Sequence, residues 1–130
     1  MDNQELVRLA KEAMTKAYTP YSGFQVGAAL LAKDGSVFLG CNVENASYGA
    51  SICAERTAMT KAVSEGVRAF EKIAVVASSD DYASPCGICR QVIFEFMPEG
   101  EIILESKKEG IRVFAVKELL PFGFRGEDIK

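Results

Sequence analysis

Apolar residues recur at Leu6, Leu9, Ala10, Ala13, Met14 and Ala17, three or four positions apart, with charged residues between them. That spacing predicts an amphipathic helix over residues 2–17, with Asp2 and Glu5 as a capping pair and Tyr18-Thr19-Pro20 as its stop. Residues 24–32 form an apolar run that breaks at Asp34-Gly35 and resumes over 37–39, the pattern of a β-hairpin with a tight turn. Residues 41–52 read as a polar loop. Ser51 is placed to cap a helix over about 53–64, which Gly66 ends. Within 72–77, the continuous run Ile73-Ala74-Val75-Val76-Ala77 suits a strand buried on both faces. Ser84 as N-cap and Pro85 at the first helical position open a second such helix, running to about Phe96 and closed by Pro98-Glu99-Gly100. Short strands follow at 102–104 and 111–115, and a turn over 117–120 ends at Pro121.

The order α-β-β-α-β-α-β-β implies an α/β fold: three layers, α-β-α, around a mixed five-stranded sheet. Only residues 105–110 link the last two strands, too few for a parallel crossover, so that pair is expected to be antiparallel. A chain of 130 residues can bury one core without disulfides, and no internal repeat or low-complexity segment divides it. Residues 1–130 are read as a single domain.

Composition changes this picture chiefly by what it excludes. At 48% hydrophobic and 25% charged the chain is ordinary for a soluble globular protein. The net charge of −3 disfavours a long phosphorylated partner, so no nucleic-acid partner is expected. The start Met-Asp-Asn-Gln-Glu lacks the features of a signal peptide, and no apolar stretch approaches the ~20 residues of a membrane span. A cytoplasmic protein with no membrane partner is expected, and there cysteines serve as ligands or catalysts more often than as disulfides. The chain contains no histidine, which removes Ser-His-Asp and Cys-His machinery and the H-E-x-x-H metalloproteases together. Phosphate-binding and dinucleotide-binding glycine motifs are absent too.

What remains is a set of cysteines. Cys53 falls at the start of one predicted helix, and Cys86 and Cys89 at the start of another. Three apart on a helix, Cys86 and Cys89 face the same way and can grip one ion, while helix N-termini favour thiolate over thiol. Three protein ligands with an open fourth position is the catalytic arrangement for zinc, and four closed ligands the structural one. Cys41 is the rival fourth ligand, but it has no paired cysteine nearby and also suits an inert packing position. A redox reading of Cys86-Gly87-Ile88-Cys89 would leave Cys53 unexplained. Three thiolates around a divalent cation leave negative charge in excess, which Arg56 and Arg90, three and four residues beyond Cys53 and Cys86, are placed to offset. Otherwise both arginines are solvated surface cations. Glu55, in a first helical turn, is ordinary dipole complementation unless the metal lies beyond the helix end, where its long side chain can reach a water there.

Cys53-Ala54-Glu55 followed by Pro85-Cys86-Gly87-Ile88-Cys89 resembles the zinc deaminase signature. Tyr21-Ser22-Gly23-Phe24-Gln25-Val26-Gly27-Ala28-Ala29, Gly40-Cys41-Asn42-Val43-Glu44-Asn45-Ala46, Cys53-Ala54-Glu55-Arg56-Thr57-Ala58 and residues 84–91 are similar, in order, to the small homotetrameric cytidine deaminases. The resemblance covers nearly the whole chain. It implies one Zn²⁺ per chain on Cys53, Cys86 and Cys89, with the fourth position open to water. Glu55 is then the catalytic proton shuttle in converting cytidine and 2′-deoxycytidine to the uridines with release of ammonia. Asn42 and Glu44 match a ribose-binding pair, Phe24 the aromatic beside the base, and the Ala54 backbone a contact to the pyrimidine edge. By the same resemblance, neighbouring subunits complete each site, Ala46 and Tyr48 from one and Phe124 from another, with Phe122 as the alternative to Phe124.

Three rivals are open. A deaminase of polynucleotides would pair its final strands in parallel, against the short link here. A structural zinc module would recruit Cys41 and leave Glu55 without consequence. An enzyme acting on a nucleoside antibiotic is less suited to the ribose-matching Asn42 and Glu44.

Overall fold

The computed structural model describes residues 1–129. The first helix, α1, spans Asn3–Met14. Asp2 Oδ1 caps it by accepting from Glu5 N at 2.8 Å, but the Glu5 carboxylate turns to Arg8 at 2.6 Å, so only half of the reciprocal pair forms. The helix is shorter than its apolar spacing suggests because Tyr18 leaves it to bridge Val43. The hairpin follows as β1 (Val26–Ala32) and β2 (Val37–Cys41), with Gly35 at φ +92° in the turn. Next come α2 (Ala54–Ser64), β3 (Phe70–Ala77), α3 (Gly87–Phe96), β4 (Glu101–Ser106), β5 (Gly110–Ala115) and the single turn α4 (Val116–Leu119).

The sheet order is β2-β1-β3-β4-β5. Within this sheet β3 and β4 run parallel, from Lys72 beside Glu101 to Val75 beside Leu104, and α3 makes their crossover. The short link before β5 does produce an antiparallel pair, with Ile102 opposite Phe114. Alternation along the strands divides the core in two. Ala29, Leu31, Ala74, Val76 and Ile103 pack beneath Leu6, Val7 and Ala10 of α1. Ala28, Leu30, Ile73, Val75, Ile102 and Leu104 face Ala58, Met59 and Ala62 of α2 and Ile93 and Phe94 of α3. The three-layer architecture expected from the pattern is the one observed. No helix among the described residues is long and apolar enough to cross a membrane.

Two glycines set how closely the helices sit. A Cβ at Gly27 would lie 2.0 Å from Ala10 O, and one at Gly40 would lie 2.5 Å from both Ala54 O and Ala58 N. The first turn of α2 thus rests directly on the backbone of β2, which fixes where that helix begins relative to the sheet.

Two helix starts differ from the sequence reading. The N-cap of α2 is Cys53 rather than Ser51, whose hydroxyl instead accepts from Asn45 N at 3.0 Å. The N-cap of α3 is Cys86 rather than Ser84, with Pro85 outside the helix. Cys86 Sγ accepts from Cys89 N at 3.5 Å, the role an oxygen usually plays. The physical reason is that both cysteines occupy the positions where unpaired N–H groups converge, and those N–H groups stabilise anionic sulfur.

Candidate metal centre and active site

The starts of α2 and α3 meet, and with them three sulfurs. Cys53 Sγ and Cys86 Sγ lie 3.9 Å apart, Cys86 Sγ and Cys89 Sγ 3.4 Å apart, and all three fall within 4.8 Å of one another. Two sulfurs each ~2.3 Å from a tetrahedral zinc stand about 3.8 Å apart, so the group already has the spacing that ion needs. Among the described residues, no histidine, carboxylate or further cysteine joins the group. Cys41 sits in β2 opposite Gly27 and outside it, so the closed four-sulfur site loses its fourth ligand.

The charge distribution is that of a site built for a cation. The Cys53 thiol is brought down to about 5, mainly by hydrogen bonding from the Cys89 thiol, with burial opposing and the Arg56 guanidinium assisting. Cys89 is pushed the other way by the Cys53 thiolate beside it and by burial, so one negative charge settles on Cys53 when no cation is there to hold more. Arg56 Nη2 reaches Cys53 Sγ at 3.7 Å and Ser51 O at 3.4 Å, and its Nε is buried among the described residues without a partner. A guanidinium held against sulfur in this way offsets the excess negative charge of three thiolates.

Glu55 is the second residue of α2 and only 4% exposed. Burial pushes its carboxyl up, and the charge of Cys53 adds to that. A carboxyl whose proton is held more tightly than usual, buried next to a metal-binding group, is poised to take up and return protons.

The open side of the sulfurs faces a cleft of about 340 Å³, lined by Phe24, Val26, Asn42, Cys53, Ala54, Glu55, Val75, Ala83, Ser84 and Cys86. That is within the ~300–1,000 Å³ of small-molecule sites. Asn42 fixes one wall: its Oδ1 accepts from Val26 N at 2.9 Å and its Nδ2 donates to Phe24 O at 2.8 Å. Glu44 holds the adjacent loop, accepting from Tyr21 N at 3.0 Å, from Ser22 N at 3.1 Å and from the Ser22 hydroxyl. Ser22 Oγ in turn accepts from Phe24 N at 3.0 Å. The Ser22 hydroxyl and the two backbone N–H groups keep the Glu44 carboxyl below the usual carboxylate range, with the hydroxyl the strongest influence.

Residues 1–105 match the family described as "Cytidine and deoxycytidylate deaminase zinc-binding region". The chain belongs to that family. It is 50% identical over 133 residues to a cytidine deaminase of Sporosarcina psychrophila, covering 99% of this chain and 96% of that one. It is 52% identical over 130 residues to a cytidine deaminase of Halalkalibacterium halodurans, covering 99% and 98%. The crystal structure of cytidine deaminase from Burkholderia pseudomallei superposes with a TM-score of 0.91 at 49% identity, covering 95% of this chain and all of that one. The fold is therefore that of the cytidine deaminases, and the three-sulfur group fits the zinc of a zinc-binding family.

Within this family member, the structure brings Phe24, Asn42 and Ala54 into one cleft with Cys53, Glu55 and Cys86. Glu44 lies instead in an adjoining hollow of about 330 Å³ with Tyr21, Ser22, Tyr48 and Ser51. Ala46 is exposed, as is Tyr48, whose ring meets that of Tyr21 edge-on at 6.0 Å. Phe124 is 55% exposed and Phe122 wholly so, and neither lines the cleft of its own chain. Arg90 is corrected: its guanidinium donates to Pro85 O, Leu119 O and Ser84 Oγ rather than to a sulfur. The reason is geometric, since these three acceptors occupy the donors of its planar fork. Sequence reasoning missed Ser22, Val26, Val75, Ala83 and Ser84. The first binds Glu44 from 22 positions away, a contact only the fold creates, and Val75 carried no signal beyond strand burial.

Proposed function

We propose that this protein hydrolytically deaminates cytidine and 2′-deoxycytidine, taking up one water and releasing ammonia to leave uridine and 2′-deoxyuridine. The observation that carries this reading is a buried Glu55 carboxyl beside three sulfurs of tetrahedral spacing, at the floor of a nucleoside-sized cleft. Zinc held by Cys53, Cys86 and Cys89 would supply Lewis-acid activation of a water molecule. Glu55 would take a proton from the attacking water and deliver it to ring N3, then move the second proton, from the new C4 hydroxyl, to the amino group as the C4–N bond breaks and the carbonyl forms. Arg56, donating to Cys53 Sγ, would offset part of the negative charge of the three sulfurs. Phe24 flanks the base and the Ala54 backbone meets the pyrimidine edge. Asn42 and Glu44, each already anchored by backbone N–H groups, read the sugar hydroxyls.

Two features support a homotetramer in which neighbours complete each site. Phe122 and Phe124 are exposed aromatics that do not line the cleft of their own chain, and Tyr48 is exposed with Ala46 just ahead of it. In this reading Ala46 and Tyr48 reach one neighbour and Phe124, or Phe122 in its stead, another. The protein acts as a single domain in cytoplasmic pyrimidine salvage, with no nucleic-acid or membrane partner, in keeping with its negative charge.

The test joins a zinc measurement to an ultraviolet assay on cytidine, with Glu55→Ala alongside. One zinc per chain in both proteins, and turnover in the wild type alone, is the expected outcome. A variant that keeps both zinc and turnover would overturn the role of Glu55. A wild type that binds zinc but leaves cytidine untouched would overturn the substrate and spare the metal centre.

A further inference from the structure

Arg90 has an arrangement that the charge-offset reading does not explain. Its Nε donates to Pro85 O at 2.8 Å, its Nη2 to Ser84 Oγ at 2.6 Å, and its Nη1 to Leu119 O at 2.8 Å. One planar fork thus grips two successive residues just before Cys86 and ties them to the C-terminal end of α4. Among the described residues, every hydrogen bond that reaches Ser84 or Pro85 comes from Arg90. The segment leading into them, residues 78–84, is loop without regular structure. Cys86 itself is an exposed N-cap, whereas Cys89 is fully buried within α3 and Cys53 is half-buried. The least enclosed of the three sulfurs therefore hangs on a turn that one side chain holds.

We infer that Arg90 is a positioning residue for the metal centre: its guanidinium fixes the turn of Ser84 and Pro85, and through it the place of Cys86 Sγ opposite Cys53 Sγ. This inference rests on the zinc reading of the three sulfurs. The role belongs to fork geometry, since three acceptors at fixed angles suit a guanidinium and an ammonium cannot meet them together. Lysine at this position would keep the charge and lose the clamp.

The experiment compares zinc-loaded wild type with Arg90→Lys and Arg90→Met, with exposed Arg8→Lys as control. Zinc release to an excess of chelator is timed, and the visible spectrum of the cobalt-substituted proteins is recorded. Circular dichroism of each zinc-loaded protein verifies folding. Faster release by about 10–100-fold in both Arg90 variants, with weakened tetrahedral cobalt bands and unchanged folding, is expected. A lysine variant matching the wild type in release and spectrum would overturn the clamp, leaving a charge effect if the methionine variant alone is impaired. Should Arg90→Met fail to fold, Arg90→Lys decides alone, with Ser84→Ala, which removes one acceptor, expected to shift release in the same direction. A wild type that takes up no zinc fails the metal-centre reading itself. A wild type that holds zinc no better than either variant fails only the clamp.

Discussion

Glu55 gains its chemistry from its surroundings. Burial and the neighbouring Cys53 charge both raise its proton affinity, so it can hold a proton at pH values where a free glutamate would have released it. Glu55→Gln keeps the shape and loses the proton, and kcat should fall by about 10²–10⁴-fold with zinc content unchanged, measured by turnover and metal analysis. Cys53 allows a second check. In zinc-free protein its thiol titrates at about 5 while Cys89 stays protonated. A thiol reagent at neutral pH should therefore modify Cys53 ahead of the buried, protonated Cys89, read by peptide mass mapping. Glu44 gives a pH dependence of known sign. Its carboxyl is lowered in the folded protein, so the ordering it lends to Tyr21 and Ser22 is complete above the ordinary carboxylate value and is lost as pH falls through the depressed one. Amide resonances of Tyr21 and Ser22 should shift together on acidification, and Ser22→Ala should move that transition to higher pH.

Elements place these groups, and here the limits of reading a chain without its fold are physical. The strands were legible because their runs and alternation record burial directly: Ile73, Val75 and Ile102 face α2 and α3, and Ala74 and Ile103 face α1. The grouping of Cys53, Cys86 and Cys89 was legible because their spacing is local to two helix starts. The caps were misread since cysteines, which local preference does not favour there, take the N-cap positions: Cys53 makes no side-chain capping bond, while Cys86 Sγ accepts from Cys89 N. Arg90 was misread because its partner Leu119 lies 29 positions away and reaches it only through the packing of α4 on α3. The seat of α2 is equally a matter of packing. Gly40→Ala would drive a methyl to 2.5 Å from Ala54 O, so the helix bearing Cys53 and Glu55 must shift. A stability loss of about 1–3 kcal/mol in denaturant unfolding is expected, together with weaker zinc retention. Alanine at Gly49, where nothing lies within 4 Å, should leave both unchanged.

At the scale of the whole molecule, the C-terminal aromatics Phe122 and Phe124 lie outside the cleft of their own chain. Phe122 is held at φ +54°, a conformation non-glycine residues seldom adopt, and its ring is wholly exposed. Phe124 is anchored through its carbonyl to Gln91 Nε2 on α3 at 3.0 Å, and the next residue, Arg125, donates to Glu95 O at 3.3 Å. The segment is thus strapped to its own α3 while both aromatic rings are exposed and neither lines its own cleft, an arrangement suited to presenting a ring to another chain. If each site borrows Phe124 from a neighbour, complementation between two defective chains follows. Glu55→Gln homomers lack the shuttle in every site, and Phe124→Ala homomers lack the borrowed ring in every site. Assembled together, some sites combine the intact Glu55 of a Phe124→Ala chain with the intact Phe124 of a Glu55→Gln neighbour. Mixed, co-refolded protein should then turn over cytidine at a wild-type KM in a fraction of its sites, above the sum of the separate activities. Sedimentation should show the same oligomeric size for all three preparations. Activity equal to that sum would assign Phe124 to its own subunit's surface. The same experiment with Phe122→Ala decides which of the two rings crosses the interface.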